Sequence, residues 1–116
     1  MQLSILDNLT AVILGGEQVI PDDIKALNKV LSNCSVINQY GPTETTVGCS
    51  YKKDIQNLFP DYETEPTVGK PFPNVGVMIL DKNLKIVPAG VVGQLAILGE
   101  NNSEGYVGKE EATNAS

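Results

Sequence analysis

The chain of 116 residues contains no histidine, two cysteines, and eight Lys and Arg against fourteen Asp and Glu. Each shortage excludes something. Without histidine, the commonest general base and zinc ligand is gone. A net charge of −6 argues against a nucleic-acid surface, which needs clustered Lys and Arg. Cys34 and Cys49 form no Cys-x-x-Cys and no Cys/His grouping. They read as free thiols in a reducing compartment, so a cytoplasmic location is expected. No apolar run approaches the roughly 20 residues that a membrane span needs, and no membrane partner is expected. Met1 to Asp7 carry no basic segment, and Asp7 interrupts the apolar run; this argues against a signal peptide. What is present is ordinary for a globular chain: 41% hydrophobic and 19% charged residues, enough for a modest core.

Thr10-Ala11-Val12-Ile13-Leu14 is a short β-branched apolar run ended by Gly15-Gly16, which predicts a buried strand. Glycines at a strand end permit close approach of a ligand or another backbone, or simply turn the chain. A helix is expected from Pro21 to about Ser32. Pro21 suits the first turn, Asp22 and Asp23 complement its positive end, and Ile24, Leu27, Val30 and Leu31 supply an apolar face. Ser35-Val36-Ile37 predicts a second strand, which completes a right-handed βαβ unit. Gly41-Pro42 then bends the chain. Tyr40, Thr43 and Glu44 are thereby expected at the carboxyl end of a strand, where open α/β sheets bind ligands. A flat ring can stack on a base, a hydroxyl can hold a phosphate oxygen, and a carboxylate can hold Mg²⁺. The plainer alternative is a surface turn with a half-buried tyrosine.

Thr45 to Ser50 is expected to leave the bend as an extended strand, with Cys49 as a small packing residue. Residues 51–66 read as a polar linker in which Ile55, Leu58 and Phe59 can form one docking turn. Thr67 to Asn74 is an extended, Pro- and Gly-punctuated path; Gly69-Lys70 is not a phosphate loop, because Pro71 follows the lysine. Val75–Leu80, Leu84–Val87 and Val92–Leu98 predict three strands of an antiparallel meander, with a turn at Asp81-Lys82-Asn83. The fold class is therefore mixed α/β. Residues 1–50 form the βαβ segment, 51–66 the linker and 67–116 a β-barrel-like segment.

Asn38-Gln39-Tyr40-Gly41-Pro42-Thr43-Glu44 resembles N-x-Y-G-P-T-E, a core motif of the adenylation domains of nonribosomal peptide synthetases. These are part of the wider adenylate-forming (AMP-binding) family. Gly15-Gly16-Glu17 resembles the same family's Gly-Gly-Glu strand end, in the right order and one helix upstream. Thr67 to Asn74 resembles its I-G-x-P-x-x-N junction. Gly93 to Tyr106 resembles G-E-L-x-I-x-G-x-x-x-x-x-G-Y, departing at Gln94, Ser103 and Glu104.

The resemblance implies a slice of the large N-terminal part of an adenylate-forming enzyme. It implies a reaction in which ATP and an amino acid give an aminoacyl-adenylate and pyrophosphate, with later transfer to the thiol of a peptidyl carrier protein. It assigns Thr43 and Glu44 as catalytic, and Glu44 as the Mg²⁺ ligand. Gly15, Gly16, Glu17, Asn38, Tyr40, Gly41 and Thr43 are assigned to the nucleotide, with Tyr40 stacked on adenine. Ile13, Gly15, Gln39, Val47 and Gly48 are assigned to the pocket for the amino acid side chain. Gln39 is the one member with a side-chain donor and acceptor, so either a polar substrate such as Asn or Asp satisfies it, or it bonds to the protein's own backbone and says nothing about substrate.

Four parts that the resemblance calls for are absent from these residues: the Ser/Thr/Gly-rich phosphate loop, the Thr-Gly-Asp segment, the hinge and the lysine-bearing C-terminal domain. The isolated 116 residues are therefore expected to be inactive and to hold no cofactor tightly. Self-association through exposed surfaces is left open. The alternatives are a piece of an acyl-CoA synthetase-like ligase, or a non-catalytic β-rich interaction module.

Overall fold

The computed structural model describes residues 8–31, 33–59, 61–64 and 66–115. Ser32, the expected helix end, and the leading residues up to Asp7 lie outside these. Two sheets lie along a body of 54 × 36 × 23 Å. The first has four strands in chain order: β1 (Ala11–Gly15), β2 (Ser35–Tyr40), β3 (Ser50–Lys52) and β4 (Lys70–Pro71). β1 and β2 run parallel, with Ile13 opposite Ile37 and Gly15 opposite Gln39. β3 returns antiparallel on β2, and β4 is antiparallel on β3.

Helix α1 (Pro21–Val30) makes the crossover. Pro21 opens it where a missing N–H costs nothing, and Asp22 and Asp23 face the positive end. Its inward face is narrower than expected. Ile24 and Leu27 turn to the sheet, but Val30 sits about 120° round the helix from Ile24 and is 45% exposed. The core is Ile24, Val36, Ile55 and Tyr62, with Leu14, Val19, Leu27, Leu58 and Phe59 against it.

Three expectations are corrected. First, residues 51–66 are more than a polar linker. The 3-10 turn Ile55–Leu58 docks as expected, but Ile55 and Tyr62 are core residues and Tyr51 belongs to β3. Tyr62 sits in the short helix α2 (Asp61–Thr64); its charged neighbours take the solvent side while the ring turns inward. Second, Thr45 to Ser50 does not extend as a strand. A 3-10 turn covers Thr43–Thr45, and Thr46 and Val47 then adopt φ of 49° and 78°. Third, the meander has two strands rather than three. β5 (Val75–Leu80) pairs with β6 (Gln94–Gly99) over six residues. The stretch between them contributes only a bridge from Ile86 to Leu80.

The middle strand fails for a local reason. Asp81 Oδ1 accepts from the N–H groups of Asn83 and Lys85, and Leu84 is held at φ 60°. Pro88 then removes a donor, so too few residues remain in extended form. The result is a ribbon, not a closed barrel. Beyond Tyr62, none of the described side chains is buried, and Leu84 and Val92 are 72% and 96% exposed. Helix α3 (Glu110–Ala115) follows.

Candidate functional site

Residues 41–49 form a hairpin loop between β2 and β3. Its base is closed by the Cys49 N–H donating to Tyr40 O at 2.8 Å, next to the Tyr40–Ser50 pair. Gly41 is needed here for space: a Cβ on it would lie 2.5 Å from the Gly48 Cα. Because β1 and β2 are parallel, Gly15-Gly16 and Tyr40-Gly41 end on the same edge. Two clefts open there, on opposite faces of the sheet, and share Gly16, Gln39 and Gly41.

The cleft on the core side measures about 410 Å³. Gly16, Glu17, Asn38, Tyr40 and Gly41 line it, together with Tyr62, Thr67 and Val68 from the 61–68 stretch. Side-chain alternation along β2 brings in Asn38 and Tyr40, which share one face with Val36. Tyr40 is 38% exposed and lines the cleft, available to a flat partner. Asn38 is 8% exposed, and its Nδ2 donates to Tyr62 Oη at 2.8 Å and to Thr67 O at 3.3 Å. Its amide N–H groups are committed to the protein, so Asn38 shapes the floor rather than reaching outward. Burial pushes the Tyr62 phenol above its ordinary pKa, partly offset by Asn38.

The cleft on the other face measures about 520 Å³ and is lined by Ile13, Gly15, Gln39, Thr43, Thr46 and Val47. Gly48 lies one layer behind, where a side chain would collide with the Gln39 amide. The five residues assigned to a side-chain pocket thus line or back one cleft. Ile13 is 62% exposed and Val47 79% exposed. The Gln39 amide has no side-chain hydrogen bond among the described residues.

The loop's three threonines differ in what their hydroxyls do. Thr45 Oγ1 donates to Pro42 O at 3.0 Å, and Thr46 Oγ1 donates to Asn101 O at 2.8 Å. Thr43, exposed at the lip of the second cleft, has no such partner among the described residues, so its hydroxyl is available to a ligand. Glu44 points elsewhere, into a groove of about 640 Å³ between the loop and β6 that also reaches Tyr40. There Tyr106 Oη donates to Glu44 Oε1 at 2.6 Å. This bond holds the Glu44 carboxyl below its ordinary pKa and the Tyr106 phenol above its own.

The segment after β6 braces the loop further. Ser103 N–H donates to Glu44 O at 2.7 Å, and Asn101 Nδ2 donates to Thr45 O at 3.1 Å and Gly48 O at 2.9 Å. The braced stretch is strained. Two successive β-branched residues at positive φ are rare, and each costs about 1–3 kcal/mol. Tyr62, Asn101 and Tyr106 were not singled out from sequence as site residues. Asn101 and Tyr106 lie in the motif around Gly93–Tyr106, which was the only available signal; Tyr62 had none, being set among acidic residues.

The loop offers one candidate metal donor. Glu44 is a lone carboxylate, and no group of three His, Cys, Asp or Glu gathers among the described residues. That fits Mg²⁺, which commonly takes one or two carboxylates and completes its shell with water and substrate phosphates. No described helix is long and apolar enough to cross a membrane.

A family model described as AMP-binding enzyme matches residues 2–107. Surfactin synthase subunit 2 of Bacillus subtilis is 38% identical over 108 residues, taking in 92% of this chain and 3% of that protein. Bacitracin synthase 1 of Bacillus licheniformis is 42% identical over 109 residues, 93% of this chain and 2% of the relative. The crystal structure of IdnL1 superposes with a TM-score of 0.85 at 27% identity, covering 99% of this chain and 24% of that one. The chain thus spans only a few per cent of the curated relatives it matches.

Proposed function

Since the chain belongs to the AMP-binding enzyme family, we propose that it is the nucleotide- and substrate-binding slice of an adenylation domain that activates an amino acid with ATP. In this reading an amino acid carboxylate oxygen attacks the α-phosphorus of ATP. A P–O bond forms to the carboxylate, the bond to the β-phosphate oxygen breaks, and pyrophosphate leaves. The activated acyl group is then passed to a carrier-protein thiol.

The observation that carries the reading is the meeting of two clefts at Gly16, Gln39 and Gly41, with Thr43 the loop hydroxyl left free at the lip of the second. Tyr40 offers its ring to the adenine in the first cleft. Glu17 and Gly16 form the wall beside it. The second cleft takes the amino acid side chain against Ile13, Gln39 and Val47. Thr43 donates to a phosphate oxygen where the two ligands meet, which orients the α-phosphate for in-line attack. Glu44 would hold Mg²⁺ through its carboxylate. The metal, when bound, neutralises phosphate charge. No lysine lines either cleft among the described residues, so in this reading the remaining positive charge comes from other parts of the longer protein.

Gln39, with its amide unspent, favours a substrate with a polar side chain such as Asn or Asp. Peptide synthases at 38% and 42% identity support an amino acid over a fatty acyl substrate. The test is amino-acid-dependent ATP–pyrophosphate exchange by the longer protein, run over a panel of amino acids. Exchange with one or a few amino acids is expected; exchange with none of them would remove the reading.

A further inference from the structure

We propose that Asn101 is a positioning residue for the amino acid side-chain cleft, holding the strained Thr46–Val47 turn in the shape that presents Val47 to substrate. The inference rests on the functional reading above. It comes from three hydrogen bonds that bracket one turn. The Asn101 Nδ2 donates to Thr45 O, just before the strained pair, and to Gly48 O, just after it. The Asn101 backbone carbonyl accepts from Thr46 Oγ1, within the pair. Thr46 and Val47 both sit at positive φ and both line the second cleft. β-branched residues hold that conformation only when their surroundings impose it. Within the turn itself, the short-range bond is Thr46 N–H to Thr43 O at 3.2 Å. The clamp from Asn101 spans the part that this bond does not reach.

The amide chemistry is specific. Both N–H groups of Asn101 face carbonyl oxygens, while its buried Oδ1 has no partner among the described residues. A flipped amide would set an oxygen against two carbonyls, and so would the isosteric carboxylate of aspartate. Room for the Oδ1 is left by Gly99, where a Cβ would come to 2.5 Å from it. The clamp acts on Val47 and Gly48, not on Tyr40, whose position is set by β2. Its loss should therefore be felt by the amino acid and not by the nucleotide.

The experiment measures pyrophosphate exchange in the longer protein, varying ATP and the best amino acid from a panel of the twenty protein amino acids. Asn101→Asp and Asn101→Ala are expected to raise KM for the amino acid about tenfold while moving KM for ATP less than about twofold. Thr46→Val removes one bond from the exposed side of the clamp and should raise the amino acid KM about threefold, with Thr46→Ser restoring it. The Thr46 pair decides the matter if the Asn101 variants do not fold. Both KM values rising together, or no change in the Thr46→Val protein, would overturn the inference while leaving the functional reading intact. An unmodified protein with no exchange would overturn both.

Discussion

The Tyr106 hydroxyl lies 2.6 Å from Glu44 Oε1, donated across 62 residues of sequence. It joins Glu44 of the 41–49 loop to the segment that follows the β5–β6 ribbon. The bond is charge-assisted, and it aims a carboxylate that would otherwise swing freely in solvent.

This bond has a pH signature at both ends. Glu44 is held below its ordinary pKa, so its stabilisation is present above the unfolded carboxylate value of about 4.3 and is lost as pH falls through the lower folded value. Tyr106 is held above its ordinary value, so its stabilisation is present below about 10 and is lost as pH rises through the higher folded value. The bond is therefore intact across neutral pH. Alkaline titration followed by phenolate absorbance should show two late tyrosines, Tyr106 and the buried Tyr62. Tyr106→Phe should leave one; an unchanged late step in that variant would count against the assignment.

Glu44→Gln keeps an acceptor for Tyr106 and the shape of the side chain but removes the charge. In the longer protein, exchange activity should fall by about tenfold or more, with the circular dichroism spectrum unchanged. An unaltered rate at limiting Mg²⁺ would take Glu44 out of the metal role.

The core prediction is independent of catalysis. Ile55 is fully buried against Ile24, Val36 and Tyr62. Ile55→Ala should destabilise the chain by about 2–5 kcal/mol in urea denaturation, whereas Val92→Ala, at 96% exposure, should stay within about 0.5 kcal/mol. Equal losses at the two sites would contradict the position of the core.

Gln39 gives a selectivity prediction. Gln39→Leu removes the unspent amide from the second cleft while keeping its approximate volume. The variant should shift preference from polar toward aliphatic amino acids by about tenfold in kcat/KM. A wild-type preference for Val or Leu would already refute the polar-substrate reading.

Much of the first sheet could be read from residues alone. The apolar run before Gly15-Gly16, the Pro21-Asp22-Asp23 helix start and the return at Val36 are local signals that placed the elements, but the expected burial of the first strand fails: β1 has no buried residue and Ile13 faces an open cleft. The loop after Gly41-Pro42 was legible as a bend but not in its detail. Thr46 and Val47 have strand preferences, and distant bonds from Asn101 override them. Tyr62 was hidden for a similar reason: its burial depends on Asn38 and Thr67, which only the fold brings near. In the ribbon, an apolar stretch at Leu84–Val87 suggested a strand, but Asp81 capped the turn and consumed it.

The closed base of the 41–49 loop makes it a natural unit for transplantation, yet the graft has two parts. Tyr40 and Ser50 are paired at its base, so a donor loop of the same length can be spliced in without shifting strand register. A donor loop moved by itself would arrive opposite a foreign Asn101, Ser103 and Tyr106, and their donors and acceptors would find no counterparts. Recombination that redirects selectivity in this scaffold should therefore exchange residues 41–49 and 99–106 together, a cassette that is discontinuous in the gene and contiguous in space.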